Sequence, residues 1–375
     1  LNSLLFLDEE EAREAFDLIS GEIHASLQHT LLDVGELYAS TLQRRAGVLA
    51  GSAALGFDVA PLGYSMGGTE GSLPPHAMAV DPPAAAADPF EADRRIYGVW
   101  AAVLGETGEI DGDGNAAEIE HDTFGFAGGV DGTFDLPNAS LMLGVSLGYT
   151  QTDAEVDDRE SSGDIDSVHL GVYGAWDNER LRLSSALAYA FHEIDTERHI
   201  EFDGIDGRTA EADYDGHSIA YSGEAAYRFG FGRMSVAPLA TADVVRGHHD
   251  DAEESGADSL NLTIDGEDYA RVEAGIGIAV GGQFAVGPAL VTAEARLLWE
   301  HAFSDDTPEQ DLVLAGAPDT PFTVLGPEGS DNWVTIGTGL GIAVSDAVTL
   351  SSHYQGAIGD EGSSHQGHFS LGYRF

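Results

Sequence analysis

The chain has 375 residues, no cysteine, and 65 acidic against 16 basic residues, for a formal net charge of −49. That surplus repels phosphate backbones and anionic membrane surfaces, which excludes nucleic acid as a partner, and the lack of Cys excludes disulfides and thiolate metal sites. Every basic residue is Arg, whose planar fork suits bidentate carboxylate pairs in confined places.

The start, LNSLLFLDEEEAR, has no basic region or cleavage site, so an export signal is expected upstream of Leu1. No run approaches the ~18 apolar residues of a membrane-spanning helix. From Asp8 to about Ala46, residues Ala12, Phe16, Ile19, Ile23, Leu27, Leu31, Leu32 and Leu42 recur at helical spacing, with acids early and Arg44 and Arg45 late. This order suits the helix dipole and predicts one long helix, or two joined near Gly21. Residues 1–46 are thus expected to be a helical junction. From 47 to 94 the composition turns to Ala, Gly and Pro, too poor in apolar surface to order itself, which predicts a flexible linker.

Inside that linker GYSMGG, Gly63 to Gly68, has the GxSxG letters of a nucleophile elbow. An elbow needs a buried strand before the Ser and a helix after it, to clamp a strained turn. Pro61 precedes this one and TEGSLPP follows, so Ser65 is read as linker and the chain as a non-enzyme with no catalytic residues.

From Arg95 to the last residue the pattern is period-two. In SLMLGVSLGYT, for example, Leu141, Leu143, Val145, Leu147 and Tyr149 share one face, opposite Met142, Gly144, Ser146 and Gly148. Such runs begin near Arg95, His121, Ser140, Asp166, Glu179, Ser218, Arg233, Tyr269, Pro288, Trp333, Ala347 and Ser364. That is an even number of strands, as a closed single-chain barrel requires. Connections alternate: the odd-numbered ones up to the ninth are long and acidic, whereas DLPN, DN, GFG, GGQFAVG and SD are short and GDEGS is modest. More than half of the 65 acids lie in the long connections. Long loops at one end and clipped turns at the other predict an all-β, 12-stranded antiparallel transmembrane β-barrel over 95–375, preceded by the helix and linker.

On such a barrel the outward face must be apolar, because Arg at midplane costs roughly 2 to 4 kcal/mol. The Leu, Val, Tyr and Trp parity is therefore expected to meet lipid, and Gly, Ala, Ser and the strand charges the lumen. The lumen-facing charges expected are Asp131, Arg182, Glu224, Arg228, Arg271, Glu273, Glu294, Arg296 and Glu300. They could hydrate the bore and grip a threaded segment, or fill it with inter-strand ion pairs; pairing between the consecutive strands holding Arg271 and Glu273 and Glu294 and Arg296 is one form of the latter. No metal or cofactor is expected. DGDGNA carries Asp111, Asp113 and Asn115 at calcium-loop spacing with Asp122 at the twelfth position, but Ala116 stands where Gly is needed. His248, His249, Asp250 and Asp251 are adjacent on an extended chain and point apart.

The chain ends HFSLGYRF, with Phe369, Leu371, Tyr373 and Phe375 on the outward parity. This resembles the C-terminal signal read by the outer-membrane barrel assembly machinery. SGEIHASLQHTLL, Gly98 to Trp100, GDGNAA, DDRESSGDIDSVHLGVYGAW, AYAFHEIDTER, WEHAF and GYRF together resemble the C-terminal translocator of autotransporters, the type V secretion family. The resemblance implies a monomer in the bacterial outer membrane, partnered by lipid, assembly machinery, periplasmic chaperones and its own passenger. That passenger reaches the cell surface and a segment stays in the lumen; LNSLLFLDEEE would be the passenger's last residues. A passive barrel, a small porin or an acidic-loop adhesin, is the alternative. A helix of about 30 residues, roughly 45 Å long, would cross the bore, and so would the extended linker. Some family members cut the segment at an Asn, and none lies between Tyr38 and Arg95.

Overall fold

The computed structural model describes residues 7–54, 95–178, 180–202, 205–287, 289–304, 307–345 and 347–375. GYSMGG with Ser65, and the expected linker from 55 onward, lie outside the described residues. The N-terminal region holds two helices, α1 Glu9–Ile19 and α2 Ile23–Ala54. A capping box starts α1: the Asp8 carboxylate accepts from the Glu10 and Glu11 N–H groups, and Glu11 accepts from the Asp8 N–H. Between the helices Gly21 sits at φ +74°, a left-handed conformation that lets the chain turn there. Helix α2 runs past Ala46, the boundary expected from composition, to Ala54.

The strands follow in chain order: β1 Arg95–Ile110, β2 Ile119–Leu136, β3 Ala139–Val156, β4 Ser161–Asp177, β5 Leu181–Phe202, β6 Ile205–Tyr227, β7 Phe229–Phe231, β8 Met234–His249, β9 Ala252–Glu253, β10 Leu262–Ile264, β11 Glu267–Val286, β12 Ala289–Ala302, β13 Glu309–Leu314, β14 Pro321–Leu325, β15 Asn332–Ala343, β16 Val348–Gly359 and β17 Gly362–Arg374. Strand β1 pairs antiparallel with both β2 and β17, in the registers Val99↔Val130 and Val99↔Tyr373, and β8 pairs with β6 and β11. The ring closes as β1 to β6, β8, β11, β12, β15, β16 and β17, twelve antiparallel strands; β7 continues the line of β6 along β8. In lipid, closure satisfies the edge amides that an open sheet would leave unpaired.

Three long connections differ from the expectation of plain loops. The segment between the fifth and sixth strands is a continuation of both, paired to Ile200↔Arg208 and, after a register shift, at Phe202↔Ile205. The inward alternation continues through Ile194, Thr196, Arg198 and Ile200, while the outward face changes from apolar to Glu193, Asp195 and Glu197. Strands β9, β10, β13 and β14 come from the two other long connections and make a separate four-stranded sheet, ordered β14-β13-β10-β9. Leu262, Ile264 and Leu312 form its buried side.

Outward residues are apolar over a belt that includes Phe126, Val145, Leu147, Leu170, Phe191, Ile276, Leu297, Ile336 and Leu371, all exposed. Beyond it toward the long connections the outward residues are acidic, as at Asp153, Glu155, Asp164 and Asp166. No described helix is long and apolar enough to cross a membrane; the strands make the crossing. Among the strand aromatics, Trp100, Tyr173, Tyr214 and Tyr269 depart from the outward rule and are buried.

Candidate functional site

The bore is filled by α2. Ile23, Leu27, Leu31, Val34, Leu37, Tyr38 and Leu42 are buried, and the helix packs mainly on β3 to β6 and β8. The small residues of the inner parity form its bed: a Cβ at Gly163 would lie 2.7 Å from Leu27, and Cβ atoms at Gly148 and Gly171 would collide with Tyr38 and Leu42. Leu27, Leu31, Tyr38 and Leu42 stand at helical spacing along one side of α2. The wall beneath carries hydrogen-bonded polar groups. Tyr38 donates to Ser146 at 3.0 Å and stacks on His169 at 4.4 Å; His169 meets Thr150 at 2.9 Å, and His192 joins Ser167 and Ser218 at 2.7 and 2.9 Å.

Polar contacts fix α2 at three levels. At its outer end Glu22 accepts from Arg159 at 2.8 Å and from the Ala117 N–H at 2.6 Å. His24 meets Glu254 at 3.0 Å, Gln28 donates to the Glu309 carbonyl at 2.8 Å, and His29 bonds the Pro327 carbonyl at 3.0 Å. Midway, Arg271 pairs with Asp33 and, at 3.3 Å, with Glu36. At the inner end Gln43 donates to Ser184 at 2.7 Å, Arg44 bonds His353 at 2.8 Å and Gln355, and Arg45 bonds Asp131 at 3.0 Å with its guanidinium 4.5 Å from the Trp100 ring centre. Trp100 and Tyr173 turn inward for this contact: Trp100 donates to the Tyr173 hydroxyl at 2.6 Å, and Tyr173 to Asp131 at 3.2 Å. From residue 24 to residue 45 the helix rises roughly 30 Å, the thickness of a hydrocarbon core.

The nine strand charges of the sequence reading fall into these levels. Asp131 holds Arg45. Arg182 donates to the Gly47 carbonyl at 3.2 Å and to Glu224 at 3.0 Å; Arg296 pairs with Glu224 at 3.0 Å and Glu294 at 2.9 Å. Arg228 pairs with Asp177. Arg271 reaches Glu273 at 3.7 Å as well as the helix, and Glu300 accepts from Thr335 and Thr241. Among the described residues no ion pair joins the charges of β11 to those of β12. Arg271 serves the helix, and Arg296 reaches across to β6.

Several contributors escape strand parity: Asp33, Glu36, Arg44 and Arg45 on the helix, and Arg198 and Glu254 above the belt. The first three share a signal, since Asp33, Glu36, Ser40 and Arg44 are spaced by three, four and four residues, a stripe on the side of α2 opposite Leu27, Leu31 and Leu42.

Above the apolar belt the outer cluster has its own electrostatics. Burial alone would raise the Glu254 carboxyl, but hydrogen bonds from His24 and the Arg198 guanidinium bring it down to about 2. Burial holds His24 below the usual imidazole value against the pull of Glu254. The neutral ring then donates from Nε2 to Glu254 and accepts at Nδ1 from the Tyr214 hydroxyl at 3.4 Å.

In DGDGNA, Asp113 accepts the N–H groups of Asn115 and Ala116 at 2.8 and 2.9 Å, and Asp122 lies on β2. His248 faces outward beside Asp268 at 3.2 Å, whereas His249 is buried against Gln310 at 3.0 Å. No three His, Asp or Glu side chains among the described residues are grouped to hold a metal. Phe369, Leu371, Tyr373 and Phe375 are exposed on the outer face, and Phe375 exchanges backbone hydrogen bonds with Tyr97 at 2.9 and 3.3 Å.

The closed barrel has counterparts. Among solved structures, the beta domain of the Bordetella autotransporter BrkA is similar at TM-score 0.54 and 22% identity, over 74% of this chain and 98% of that one. The translocator domain of the autotransporter NalP from Neisseria meningitidis matches at TM-score 0.56 and 15% identity, over 74% and 88%. In sequence, an extracellular serine protease of Serratia marcescens is 24% identical over 74% of this chain, and outer membrane protein B of Rickettsia typhi 24% identical over 51%. The chain spans about a quarter of the first relative's length and 12% of the second's. The autotransporter beta-domain model matches residues 99–355. The chain belongs to the autotransporter beta-domain family and is an outer-membrane β-barrel.

Proposed function

We propose that this barrel lets its own N-terminal passenger reach the cell surface and keeps α2 in the bore afterwards. The direction of α2 carries the reading. Its N-terminal end, with α1 and Gly21, lies under the sheet built from the long connections, where Gly21 meets Leu262 and Leu312. Its C-terminal end lies at the short turns, beside Arg182 and Asp131. Chain preceding α2 therefore emerges at the acidic, long-loop end and chain following it at the short-turn end, as an exported passenger requires. In this reading residues 1–46 are the end of the passenger and the junction, 47–94 link it to the barrel, and 95–375 are the barrel. Asp131, Arg182 and Arg271 grip the threaded segment while the other six inner charges pair within the wall, and Phe369, Leu371, Tyr373 and Phe375 are read by the assembly machinery after delivery by periplasmic chaperones. A filled bore disfavours a passive porin.

An epitope placed before Leu1, behind an export signal, tests this in a Gram-negative host. Added protease should remove the epitope from intact cells while the barrel stays in the outer-membrane fraction. An epitope that stays protected while the barrel is inserted would overturn the reading.

A further inference from the structure

Helix α2 leans on β3 to β6 and β8, and on its other side, against β12 and β15 to β17, two cavities remain. The upper one has a volume of about 60 Å³ and is faced by Asp33, Glu36, Glu106, Glu109, Glu273 and Glu300 against a single guanidinium, Arg271. Glu106 is 6% exposed; its Oε1 accepts from Gln366 at 2.9 Å, and its Oε2 has no hydrogen-bond partner. The lower cavity, about 100 Å³, is faced by Arg44, Arg182, Arg228, Arg296, Glu224 and Glu294. Each has room for several water molecules.

Charge balance differs sharply between the two. Below, Arg182, Arg228 and Arg296 are matched by Glu224, Asp177 and Glu294. Arg44 is the odd cation: its bonds go to His353 and Gln355, and no ion pair among the described residues joins it to a carboxylate. Above, carboxylates outnumber guanidiniums and one carboxylate oxygen is idle. Arg44 stands at the boundary. His353 lines the lower cavity, and Gln355, two residues along β16, lines the upper one.

We propose that Arg44 is a tethered cation closing a cation path that runs between α2 and the β12–β17 wall. A surplus of carboxylates in a narrow, weakly screened bore attracts mobile cations and rejects anions. The Arg44 guanidinium occupies the point where such an ion would pass, and its charge lends the lower cavity the only positive surplus there. Removing it opens the bridge from helix to wall and leaves the lower cavity balanced, so the acidic cavity alone sets selectivity. The inference concerns the plugged barrel and holds whether or not a passenger is exported.

The purified chain in planar bilayers under a KCl gradient tests it. The unaltered protein should pass little current. Arg44→Ala should open a steady current whose reversal potential shifts toward that of K⁺, and guanidinium chloride should block it by refilling the vacated position. Adding Glu106→Gln and Glu300→Gln should diminish the shift. Arg44→Ala conducting no better than the parent, a current that carries Cl⁻ as readily as K⁺, insensitivity to guanidinium, or a shift undiminished by the Glu changes would each overturn the proposal. Migration before and after boiling reports barrel closure, and Arg44→Gln carries the same readings if the Ala variant does not close.

Discussion

Arg198 grips Glu254 with both arms of its fork, Nε to Oε1 and Nη2 to Oε2, each at 2.7 Å, and both side chains are 1% exposed. The pair joins β5, extended beyond the apolar belt, to the connection between β8 and β11. The remaining partners complete it: His24 from α2 on Oε1, the Leu262 N–H on Oε2, and the Leu18 carbonyl on the Arg198 Nη1. One ion pair therefore ties the barrel, the capping sheet and both helices. Breaking a buried pair from one side leaves a lone charge, at a cost of roughly 3 to 5 kcal/mol. Glu254→Gln should leave the barrel closed, as shown by its shift on boiling, yet admit protease at the α1–α2 junction.

Acid should loosen the same junction. His24 is neutral and held low when docked, whereas a freed His24 titrates near 6.5. As pH falls below that value the undocked form takes up a proton that the docked form refuses, so docking weakens. Glu254 adds to this in the same direction: its contribution is complete above the ordinary carboxylate value and fades as pH falls toward about 2. Hydrogen exchange of residues 18–30, corrected for intrinsic rates, should quicken from pH 7 to 5. His24→Gln should flatten that portion of the profile.

The bed of small residues makes a separate expectation. Gly148 faces the Tyr38 ring so closely that any Cβ collides with it. Gly148→Leu should displace α2, at a cost of roughly 1 to 3 kcal/mol for overpacking, while the barrel's own backbone ladder remains. Exchange should increase across α2 with little change in β3 and β4. Equal loss in helix and strands would show that α2 is integral to barrel closure.

How far these features are legible in the chain depends on the interaction that writes them. Period two marks the strands wherever the two faces differ, so Leu141 to Tyr149 is unmistakable. It fades past Glu193, where the outward face becomes acidic and only Ile194, Thr196, Arg198 and Ile200 preserve the alternation. The short segments β9, β10, β13 and β14 are held by partners from distant connections, with no local pattern long enough to betray them. Trp100 and Tyr173 turn inward because Arg45 and Asp131 await them there, and aromatic character alone does not disclose it. The charged strand residues stand out by type, but not their partners: Arg271 meets Asp33 across 238 positions. The stripe of Asp33, Glu36, Ser40 and Arg44 is the local trace of that meeting, visible only once the helix is known to be surrounded.

The outer and inner faces of the barrel wall should respond unequally to one kind of substitution. Val145 on β3 is 52% exposed within the apolar belt, where an arginine must be drawn into hydrocarbon or dragged to its edge. Thr292 on β12 borders the lower cavity beside Glu294, where an arginine finds water and a carboxylate. Val145→Arg should destabilise the folded barrel in lipid vesicles by roughly 2 to 4 kcal/mol, read as a lower urea midpoint with an unchanged slope. Thr292→Arg should cost far less, because the group it introduces is already represented there by Arg296 and its energy depends on cavity room and not on bilayer depth. The difference between the variants, measured in one vesicle composition, separates the lipid contribution from the wall's general tolerance of an introduced arginine. It should shrink when both proteins are compared in a short-chain detergent, whose thin apolar layer lets the Val145→Arg guanidinium reach water. If the two substitutions prove equally costly in vesicles, the apolar parity does not face acyl chains.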